Sequence, residues 1–411
     1  MKKQNVAIIG GGAAGLVAAI AAAKEGARVT VFERNDRVGK KILMTGNGKC
    51  NLTNLSYDAS CYFSSNTDIL KKLLSLYDQE DVMQLFRSLG LFLQAKEGRV
   101  YPLSEQASSV LDALRFGCVH LGVILKTDVC IDDIRCLSQN KEVPVYQVAG
   151  ECFDAVILST GGKSYPKTGS DGKGFDLAGK LGLHVCSTVP ALVPLICQEN
   201  FFKSVSGVRV KATLTLFIAG ENRYCETGEL QLTDYGISGI PVFQFSRLAA
   251  YGLQQKKKVS VTIDFLPDLT IEEIMASLHT RFLLWESRTA EEFFNGLLHK
   301  KLLMLFFKLQ AISPETKMKN VTEEKIKIII SQMKKFSVTV KDTRGFEQAQ
   351  VTAGGVSLDE VSERMEARRL PGLYLAGELL DVDGICGGYN LQWAFASGAI
   401  AGKWAGKKEN N

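Results

Sequence analysis

Near its start the chain reads Val6-Ala7-Ile8-Ile9-Gly10-Gly11-Gly12-Ala13-Ala14-Gly15, an apolar run that ends in a cluster of glycines. Gly10, Gly12 and Gly15 fit the pattern Gly-x-Gly-x-x-Gly between a predicted strand over residues 6–9 and an Ala-rich predicted helix over residues 13–25. In this pattern the glycines allow a tight turn, a close approach of the backbone to a pyrophosphate, and close packing of the helix on the strand. The N-terminus of the helix faces the negative charge. The pattern therefore predicts a βαβ unit that binds a dinucleotide.

An acidic residue in the expected place supports the same assignment. A second strand is predicted over residues 28–33, and it ends at Glu33. A carboxylate in that place can accept a hydrogen bond from a ribose hydroxyl of an adenosine-containing dinucleotide. Both FAD and NAD contain such a ribose, so other segments must decide between them.

Two further glycine-rich segments favour FAD. Residues 39–54 form a long polar loop directly after the second predicted strand, and ordered loops of that length usually serve a ligand site. Far along the chain, residues 372–378 predict a short strand that runs into a glycine turn, and residues 387–390 open an Ala-rich predicted helix over residues 391–401. A second helix N-terminus preceded by glycines offers amides and a dipole to the far end of an extended cofactor. FAD is such a cofactor, because its flavin, ribityl chain and pyrophosphate span more than one βαβ unit.

The pattern of the chain changes twice in its middle. Strands of an antiparallel or barrel-like unit are predicted over residues 208–218, 228–232 and 259–265, whereas residues 271–334 have the apolar spacing of a small helical bundle. From Phe336 the strand character returns. The predicted fold class is α/β, a FAD/NAD(P)-binding Rossmann-like domain interrupted by an inserted β-barrel-like domain and a helical domain. The predicted boundaries are 1–189 for the first part of the FAD-binding domain, 190–268 for the barrel-like domain, 269–335 for the helical domain and 336–411 for the second part of the FAD-binding domain.

The bulk composition is that of a globular protein with several domains. The 411 residues are too many for one ordinary core, and 46% hydrophobic with 23% charged content is far from the disordered and membrane classes. An uncharged stretch over residues 5–23 has the apolar character of a targeting segment, but four glycines interrupt it. We therefore expect a cytoplasmic protein without a membrane anchor.

Charge and cysteine spacing favour neither a nucleic-acid partner nor a metal site. The net charge of +5 is diffuse, and no aromatic residues interleave the run Lys256-Lys257-Lys258, which favours a solvated surface. The ten cysteines are spread singly, without a Cys-x-x-Cys pair or a nearby His at ligand spacing, as expected of reduced thiols. The expected partner is a small-molecule substrate, and no oligomeric state is predicted.

Several longer segments resemble one protein family over nearly the whole chain. They are GGGAAG at 10–15, TGNGKCNLTN at 45–54, STGGKSYPKTGSDGKGFDLAGKLGLHV at 159–185, PALVPL at 190–195, TAGGV at 352–356 and GLYLAGELLDVDGICGGYNLQWAFASG at 372–398. With this combination the chain resembles the YhiN/BaiN-type NAD(P)/FAD-dependent oxidoreductases, also named the aminoacetone oxidase family of FAD-binding flavoproteins.

The resemblance implies a cofactor site in the α/β domain. It implies that FAD lies there with its flavin facing the insert, a barrel-like domain followed by a helical one. NAD(P)H would bind transiently, since the sequence has no second Gly-x-Gly-x-x-Gly in the insert. The residue patterns and the resemblance together predict these cofactor-binding residues: Gly10, Gly12, Ala13, Ala14, Gly15, Glu33, Arg34, Lys41, Gly46, Asn47, Gly48, Lys49, Cys50, Asn51, Thr160, Gly161, Gly162, Gly377, Glu378, Asp383, Gly384, Gly388, Tyr389 and Asn390.

One motif of the insert departs from the family pattern. The family often reads Phe-Thr-His-x-Gly-x-Ser-Gly-Pro, whereas this chain has Leu232-Thr233-Asp234-Tyr235-Gly236-Ile237-Ser238-Gly239-Ile240-Pro241. Asp234 stands in the position of the His, and the Pro is shifted by one residue. The histidine that could transfer a proton at that position is therefore replaced in this chain. The segment is either a substitute site, through Asp234 or Tyr235, or a simple turn between barrel strands.

Catalytic side chains are harder to identify, because a flavin carries the hydride chemistry itself. Candidate proton donors are Tyr165, Tyr235 and Tyr389, and each is equally compatible with a packing role. Cys50 and Cys386 lie in the cofactor loops, but neither belongs to a Cys-x-x-Cys pair, which favours bystander thiols.

The expected activity is that of an FAD-dependent oxidoreductase that takes hydride from NAD(P)H. The resemblance to BaiN-like members implies a substrate with a carbon–carbon double bond conjugated to a ketone, such as a 3-oxo bile acid or another steroid-type enone. Two alternatives stay open: a flavin oxidase of a small amine or aminoketone, and an FAD-containing RNA-associated factor. The diffuse charge disfavours the second alternative.

Overall fold

The chain forms two compact units. The computed structural model describes residues 3–137 and 145–407. One unit comprises Met1–Val189 with Ala349–Asn411, and the other comprises Pro190–Gln348. Each unit has its own hydrophobic core.

The strands and helices of the described residues are as follows. The strands are β1 (Asn5–Ile9), β2 (Arg28–Phe32), β3 (Thr53–Asn54), β4 (Tyr62–Phe63), β5 (Leu93–Lys96), β6 (Arg99–Pro102), β7 (Ile124–Lys126), β8 (Arg135–Cys136), β9 (Tyr146–Val148), β10 (Glu151–Phe153), β11 (Ala155–Leu158), β12 (Val189–Ala191), β13 (Leu195–Cys197), β14 (Arg209–Ile218), β15 (Glu221–Leu232), β16 (Gly236–Ser238), β17 (Val259–Asp264), β18 (Phe336–Thr343), β19 (Val351–Ala353), β20 (Leu373–Leu375) and β21 (Asp383–Gly384). The α-helices are α1 (Ala13–Lys24), α2 (Thr67–Leu76), α3 (Gln79–Ser88), α4 (Ala107–His120), α5 (Lys173–Lys180), α6 (Phe202–Val205), α7 (Ile240–Gln254), α8 (Ile271–Trp285), α9 (Ala290–Phe294), α10 (Lys300–Leu309), α11 (Glu323–Lys334), α12 (Gly345–Gln348) and α13 (Tyr389–Gly406). Short 3₁₀ turns cover Ile42–Gly48, Ala59–Cys61, Pro166–Thr168, Met318–Asn320, Leu358–Glu360 and Gly377–Leu379.

The first unit contains a parallel sheet with the strand order β20-β11-β1-β2-β7. Strand β1 pairs in parallel with β2 and β11, and β11 pairs with β20 from the C-terminal segment. Every residue of β11 is buried, as expected of a parallel strand covered on both faces. The sheet confirms the predicted Rossmann-like α/β fold, and β1 and β2 confirm the two strands predicted around the glycine motif.

Helices α1 and α13 pack together through small residues. Gly398, Gly402 and Gly406 recur at every fourth position of α13, on one face of the helix. A methyl group on them would lie 2.3 Å, 2.2 Å and 2.7 Å from the backbone oxygens of residues 14, 18 and 22 in α1. Glycine at these positions therefore lets the two backbones approach closely, and this contact ties the two sequence segments of the first unit together.

The second unit is built on a closed barrel with the strand order β13-β16-β15-β14-β17-β18. Buried and more exposed residues alternate along β17, which is the period of a strand with one face toward a core. Residues of α8 to α11 belong to the same hydrophobic core as the barrel strands. The ring of Phe306 in α10, for example, lies 5.9 Å from that of Phe265 and 5.4 Å from that of Phe336. The barrel and the helices confirm the predicted character of the insert.

One predicted boundary differs from the structure. Residues 336–411 are predicted from the sequence to belong to the FAD-binding domain, but β18 lies in the barrel, where it pairs with β17 and β13. The first unit resumes only at Ala349. The alternation of residues identifies an extended segment, but it does not identify the sheet that the strand joins. Helix α7, which packs in the core of the second unit, corresponds to no element predicted from the sequence.

None of the helices in residues 3–137 and 145–407 is long and apolar enough to cross a membrane.

Candidate functional site

Four loops meet at one edge of the parallel sheet, because each follows the carboxyl end of a strand. Gly10 follows β1, Glu33 follows β2, Thr160 comes two residues after β11 and Gly377 comes two residues after β20. In open α/β sheets, ligands bind outside the carboxyl ends of the strands. The fold thus brings together residues from the N-terminal and C-terminal segments that the sequence analysis predicted to bind the cofactor.

The three motif glycines meet three different requirements. Gly10 has a φ of 104°, and a methyl group on it would lie 2.5 Å from the carbonyl oxygen of Ser159. A methyl group on Gly15 would lie 1.9 Å from the carbonyl oxygen of Gly10, so the helix packs directly on the turn. Gly12 has open space in that direction, and it caps α1 without a side-chain hydrogen bond to the first turn. The first amides of α1 therefore face an open region that suits an anion.

Glu33 is held rigidly beside this turn. Its Oε2 accepts a hydrogen bond from the Gly11 amide at 2.9 Å, and its Oε1 accepts bonds from the amide and the side chain of Asn35 at 2.9 Å and 2.7 Å. The carboxylate is 7% exposed. A carboxylate has about four acceptor positions, so an acceptor position remains for a ligand hydroxyl after these three bonds.

Arg34 and Asp171 form an ion pair next to Glu33. Nη1 of Arg34 lies 2.5 Å from Oδ2 of Asp171. This hydrogen bond raises the pKa of the Arg34 guanidinium. The charge of Arg34 is therefore balanced by a protein carboxylate.

The long loop after β2 has a left-handed backbone at several positions. Gly46, Asn47, Gly48 and Cys50 have φ values of 55°, 53°, 83° and 56°. A left-handed residue next to a right-handed one, as at Cys50 after Lys49, turns successive amides toward one concavity, which is a common way to build an anion-binding loop. The loop thus contains a backbone arrangement that suits a ligand, as the sequence analysis predicted for residues 39–54.

Two side chains of this loop, those of Lys49 and Cys50, interact with other parts of the protein. Nζ of Lys49 pairs with Oε2 of Glu105 at 2.7 Å, and Lys96 pairs with the same carboxylate. The hydrogen bonds from Lys49 and Lys96 lower the pKa of Glu105 to about 2. Cys50 is completely buried, and the loss of solvent raises the pKa of its thiol to about 12. Cys50 is therefore protonated at neutral pH, which supports a bystander role.

The start of α13 offers a second set of backbone amides. Its N-cap is Gly388, with a φ of 100° and no side-chain cap. A methyl group there would lie 2.7 Å from the Thr53 carbonyl oxygen. The side chain of Asn390 accepts from the Gly384 amide and donates to the Gly384 carbonyl, both at 2.8 Å, so it braces the preceding loop. In that loop Asp383 is 1% exposed and lies in β21.

A polar cluster joins three of the loops. Nζ of Lys41 lies 2.6 Å from Oε2 of Glu378 and 2.7 Å from Oγ of Ser164. The Oγ of Thr352 accepts bonds from the amides of Lys163 and Ser164. Gly162 lies against this cluster, because a methyl group on it would come 2.5 Å from the Thr352 hydroxyl oxygen.

The three candidate tyrosines lie in different surroundings. Tyr165 has a left-handed φ of 54°, which costs energy for a residue with a bulky side chain. Tyr389 is 5% exposed, its hydroxyl donates to the Ser56 carbonyl at 2.9 Å, and burial raises its pKa. Tyr235 belongs to the second unit, where the Arg344 guanidinium lies 4.5 Å from its ring centre. Tyr165 and Tyr389 share the first unit, and Tyr389 has a structural partner for its hydroxyl.

Several buried polar atoms in the first unit have no protein partner. In the described residues these atoms include the Asn51 side-chain oxygen and the hydroxyls of Thr53, Thr160 and Ser170. Buried polar groups are normally hydrogen-bonded, so these atoms are available to a ligand. Asn51 and Thr160 were predicted from the sequence, whereas Thr53 and Ser170 were not. Both lie inside the family-like segments 45–54 and 159–185, which was the signal that could have identified them.

Within the described ranges, no group of three or more His, Cys, Asp or Glu side chains could hold a metal ion. The geometry of the first unit instead suits an extended anionic cofactor. It provides two uncapped helix N-termini, a buried carboxylate with an acceptor position left for a hydroxyl, and unpartnered buried hydroxyls. These features fit FAD.

Comparisons with known proteins agree on one family. Residues 4–404 match the family described as HI0933-like protein Rossmann domain. The chain belongs to the HI0933-like family. A 3-dehydro-bile acid delta(4,6)-reductase of Clostridium scindens is 40% identical over 409 residues, which are 98% of this chain and 99% of that protein. A ribosomal RNA dihydrouridine synthase of Haemophilus influenzae is 32% identical over 400 residues, which are 95% of this chain and 95% of that protein.

A solved structure shows a similar fold. The 3-ketosteroid delta1-dehydrogenase from Sterolibacterium denitrificans has a TM-score of 0.51 and 12% identity, with 99% of this chain and 100% of that chain covered. This likeness concerns the fold alone. Membership of the HI0933-like family confirms the resemblance found in the sequence, and with it the prediction of an FAD-dependent oxidoreductase.

Proposed function

We propose that this protein reduces a carbon–carbon double bond conjugated to a ketone in a small steroid-type enone, with NAD(P)H as the reductant. The observation that carries the proposal is the 40% identity to a 3-dehydro-bile acid delta(4,6)-reductase over nearly the full length of both chains. At this coverage the match extends over both the first unit and the insert. The proposed substrate class follows from that relative.

The cofactor for this reaction would be held by the first unit. The amides that begin α1 would bind the pyrophosphate, Glu33 would accept a ribose hydroxyl, and the amides that begin α13 would bind the far end of the cofactor. Asn51, Thr160 and the other unpartnered polar atoms would supply further hydrogen bonds. When bound, FAD supplies two-electron hydride transfer. The residues of the chain then bind, orient and shield the reactants.

A proton donor is also needed, because reduction of such a bond adds one hydride and one proton. Tyr165, Tyr235 and Tyr389 are the candidates. The hydroxyl of Tyr389 already donates a hydrogen bond to a backbone carbonyl. Tyr165 and Tyr235 are therefore the stronger candidates for the proton donor. The left-handed backbone of Tyr165 supports a functional constraint at that position.

The reductant would bind for only part of the cycle. The chain has one complete Gly-x-Gly-x-x-Gly fingerprint directly after a strand, and the proposed FAD site would use it. NAD(P)H would therefore transfer its hydride without a dinucleotide domain of its own. Because NAD(P)H is a cytoplasmic metabolite, this function implies the cytoplasmic location expected from the sequence.

A second candidate is reduction of uridine in ribosomal RNA. It is favoured by the 32% identity to a ribosomal RNA dihydrouridine synthase over 95% of each chain. Dihydrouridine differs from uridine by two hydrogens across a double bond that is conjugated to a carbonyl. Both candidates therefore involve the same reaction, the reduction of a double bond conjugated to a carbonyl. They differ in the size and charge of the substrate.

Product analysis separates the candidates. The purified holoprotein is incubated anaerobically with NADH or NADPH and one of two substrates. These are a 3-oxo-Δ4 steroid acid and ribosomal RNA transcribed in vitro, which contains no dihydrouridine. We expect a mass gain of two hydrogens in the steroid acid and none in the RNA. Gain in the RNA alone would establish the second candidate. In a separate aerobic assay, consumption of oxygen with a small amine, together with a gain in neither substrate, would establish an oxidase instead.

A further inference from the structure

Lys41, Ser164 and Glu378 form a polar cluster at the carboxyl edge of the sheet, although they come from three separate segments. Nζ of Lys41 donates to Oε2 of Glu378 at 2.6 Å and to Oγ of Ser164 at 2.7 Å. Ser164 is fully buried, and the side chains of Lys41 and Glu378 are 26% and 20% exposed. Salt screens a partly buried ion pair much less than a surface pair.

The other oxygen of Glu378 is also fixed. Its Oε1 accepts a hydrogen bond from Ser164 Oγ at 2.9 Å and another from the Thr352 amide at 2.7 Å. Of these three donors to the carboxylate, Lys41 alone is charged. Ser164 and Thr352 therefore set the orientation of the carboxylate, whereas Lys41 balances its charge.

We infer that Lys41 is a positioning residue for FAD and acts through Glu378. This inference rests on the proposed FAD site and deepens it. Glu378 lies in the turn Gly377–Leu379 after β20, where the cofactor loops meet. FAD carries an anionic pyrophosphate, and a partly buried carboxylate without a counter-ion is costly and repels an anion. Lys41 makes this turn electrically neutral, so that the amides of the helix N-termini act on the cofactor unopposed.

The neighbouring lysine provides a matched control. Nζ of Lys40 lies 2.7 Å from Oδ1 of Asp36, whose side chain is 65% exposed. The side chain of Lys40 is 26% exposed, as is that of Lys41, but its partner carboxylate is open to solvent, and such a pair contributes little. Replacement of Lys40 removes the same charge from the same loop without touching Glu378.

The experiment measures FAD release from the purified holoprotein on dilution, followed by flavin fluorescence. We expect Lys41→Met to raise the dissociation constant about tenfold or more, because it leaves Glu378 uncompensated. Lys41→Arg and Lys40→Met should stay close to the unmutated protein. The double variant K41M/E378Q should regain most of the loss, since the unbalanced charge is gone.

Each result has a definite meaning. A double variant that retains FAD no better than K41M would show that the pair acts only as a structural link, and it would overturn the inference. Unchanged retention in K41M would overturn it as well. An unmutated protein that holds no FAD would instead overturn the FAD site itself. Circular dichroism checks the fold of every variant, and Lys41→Gln takes the place of K41M should that variant not fold.

Discussion

At the scale of single residues, two glycines of the same turn have different tasks. Gly12 and Gly15 lie in one turn, yet a methyl group on Gly12 would meet open space and one on Gly15 would meet the Gly10 carbonyl oxygen at 1.9 Å. The first glycine keeps room for a ligand, and the second allows the helix to pack. Substitution of Gly12 should therefore impair ligand binding, whereas substitution of Gly15 should impair stability.

We predict that Gly12→Ala leaves the fold stable but weakens FAD binding about tenfold or more, because the added methyl occupies the pyrophosphate approach. Gly15→Ala should lower the free energy of unfolding by about 1–3 kcal/mol or more, because it forces α1 away from the turn. Urea unfolding of the apoproteins and FAD titration measure the two effects. Loss of stability in Gly12→Ala, with normal stability in Gly15→Ala, would contradict this assignment.

A second residue prediction concerns Cys50, whose thiol has its pKa raised to about 12 by burial. In the native protein at pH 8 an alkylating reagent should modify exposed Cys152 and leave Cys50 unmodified, as read by peptide mass spectrometry. An unfolded thiol loses its proton near pH 8.5. As pH rises from about 9 to 12, the unfolded chain therefore binds fewer protons than the folded one, and the free energy of unfolding falls.

In Cys50→Ala this contribution disappears, so its stability should decline less steeply in the same pH window. The slope from a single group is at most about 1.4 kcal/mol per pH unit. Rapid native alkylation of Cys50, or identical pH slopes in the two proteins, would show that the thiol is not sequestered.

At the scale of elements, the first unit depends on the contact between α1 and α13. The two helices come from opposite ends of the chain, and the glycine face of α13 lies on the backbone of α1. The Gly-x-x-x-Gly spacing could be seen in the sequence, but its partner could not, because nothing local in α13 identifies α1 as the facing helix. The helix itself starts two residues before the predicted range and continues past it to Gly406.

We predict that Gly402→Ala lowers the free energy of unfolding by about 1–3 kcal/mol. Alanine has a higher intrinsic helix propensity than glycine by about 1 kcal/mol, so an isolated helix would respond in the opposite direction. A decrease in the free energy of unfolding would therefore indicate the close contact between α1 and α13. Lys403→Ala, at the exposed neighbouring position, is the control and should change stability by less than about 0.5 kcal/mol.

At the scale of the whole molecule, the sequence predicts elements formed within one short segment, but it does not predict contacts between residues far apart in the chain. The βαβ unit was predictable because the glycine motif, its helix and Glu33 lie within one short segment. Strand β18 was assigned to the wrong unit because its pairing partners lie far away in the chain. The contact of Lys41 with Glu378 spans 337 positions, so each residue could be predicted in the site but not their pairing.

The central claim is that the first unit, assembled from both ends of the chain, holds a flavin that NAD(P)H reduces and an enone reoxidises. The most direct test is the anaerobic visible spectrum of the purified protein, first with NADH or NADPH and then with a 3-oxo-Δ4 steroid acid. We expect a flavin spectrum that one nucleotide bleaches and the enone restores. A colourless protein that takes up no added FAD would contradict the cofactor site, and a flavin that neither nucleotide bleaches would contradict the proposed reaction.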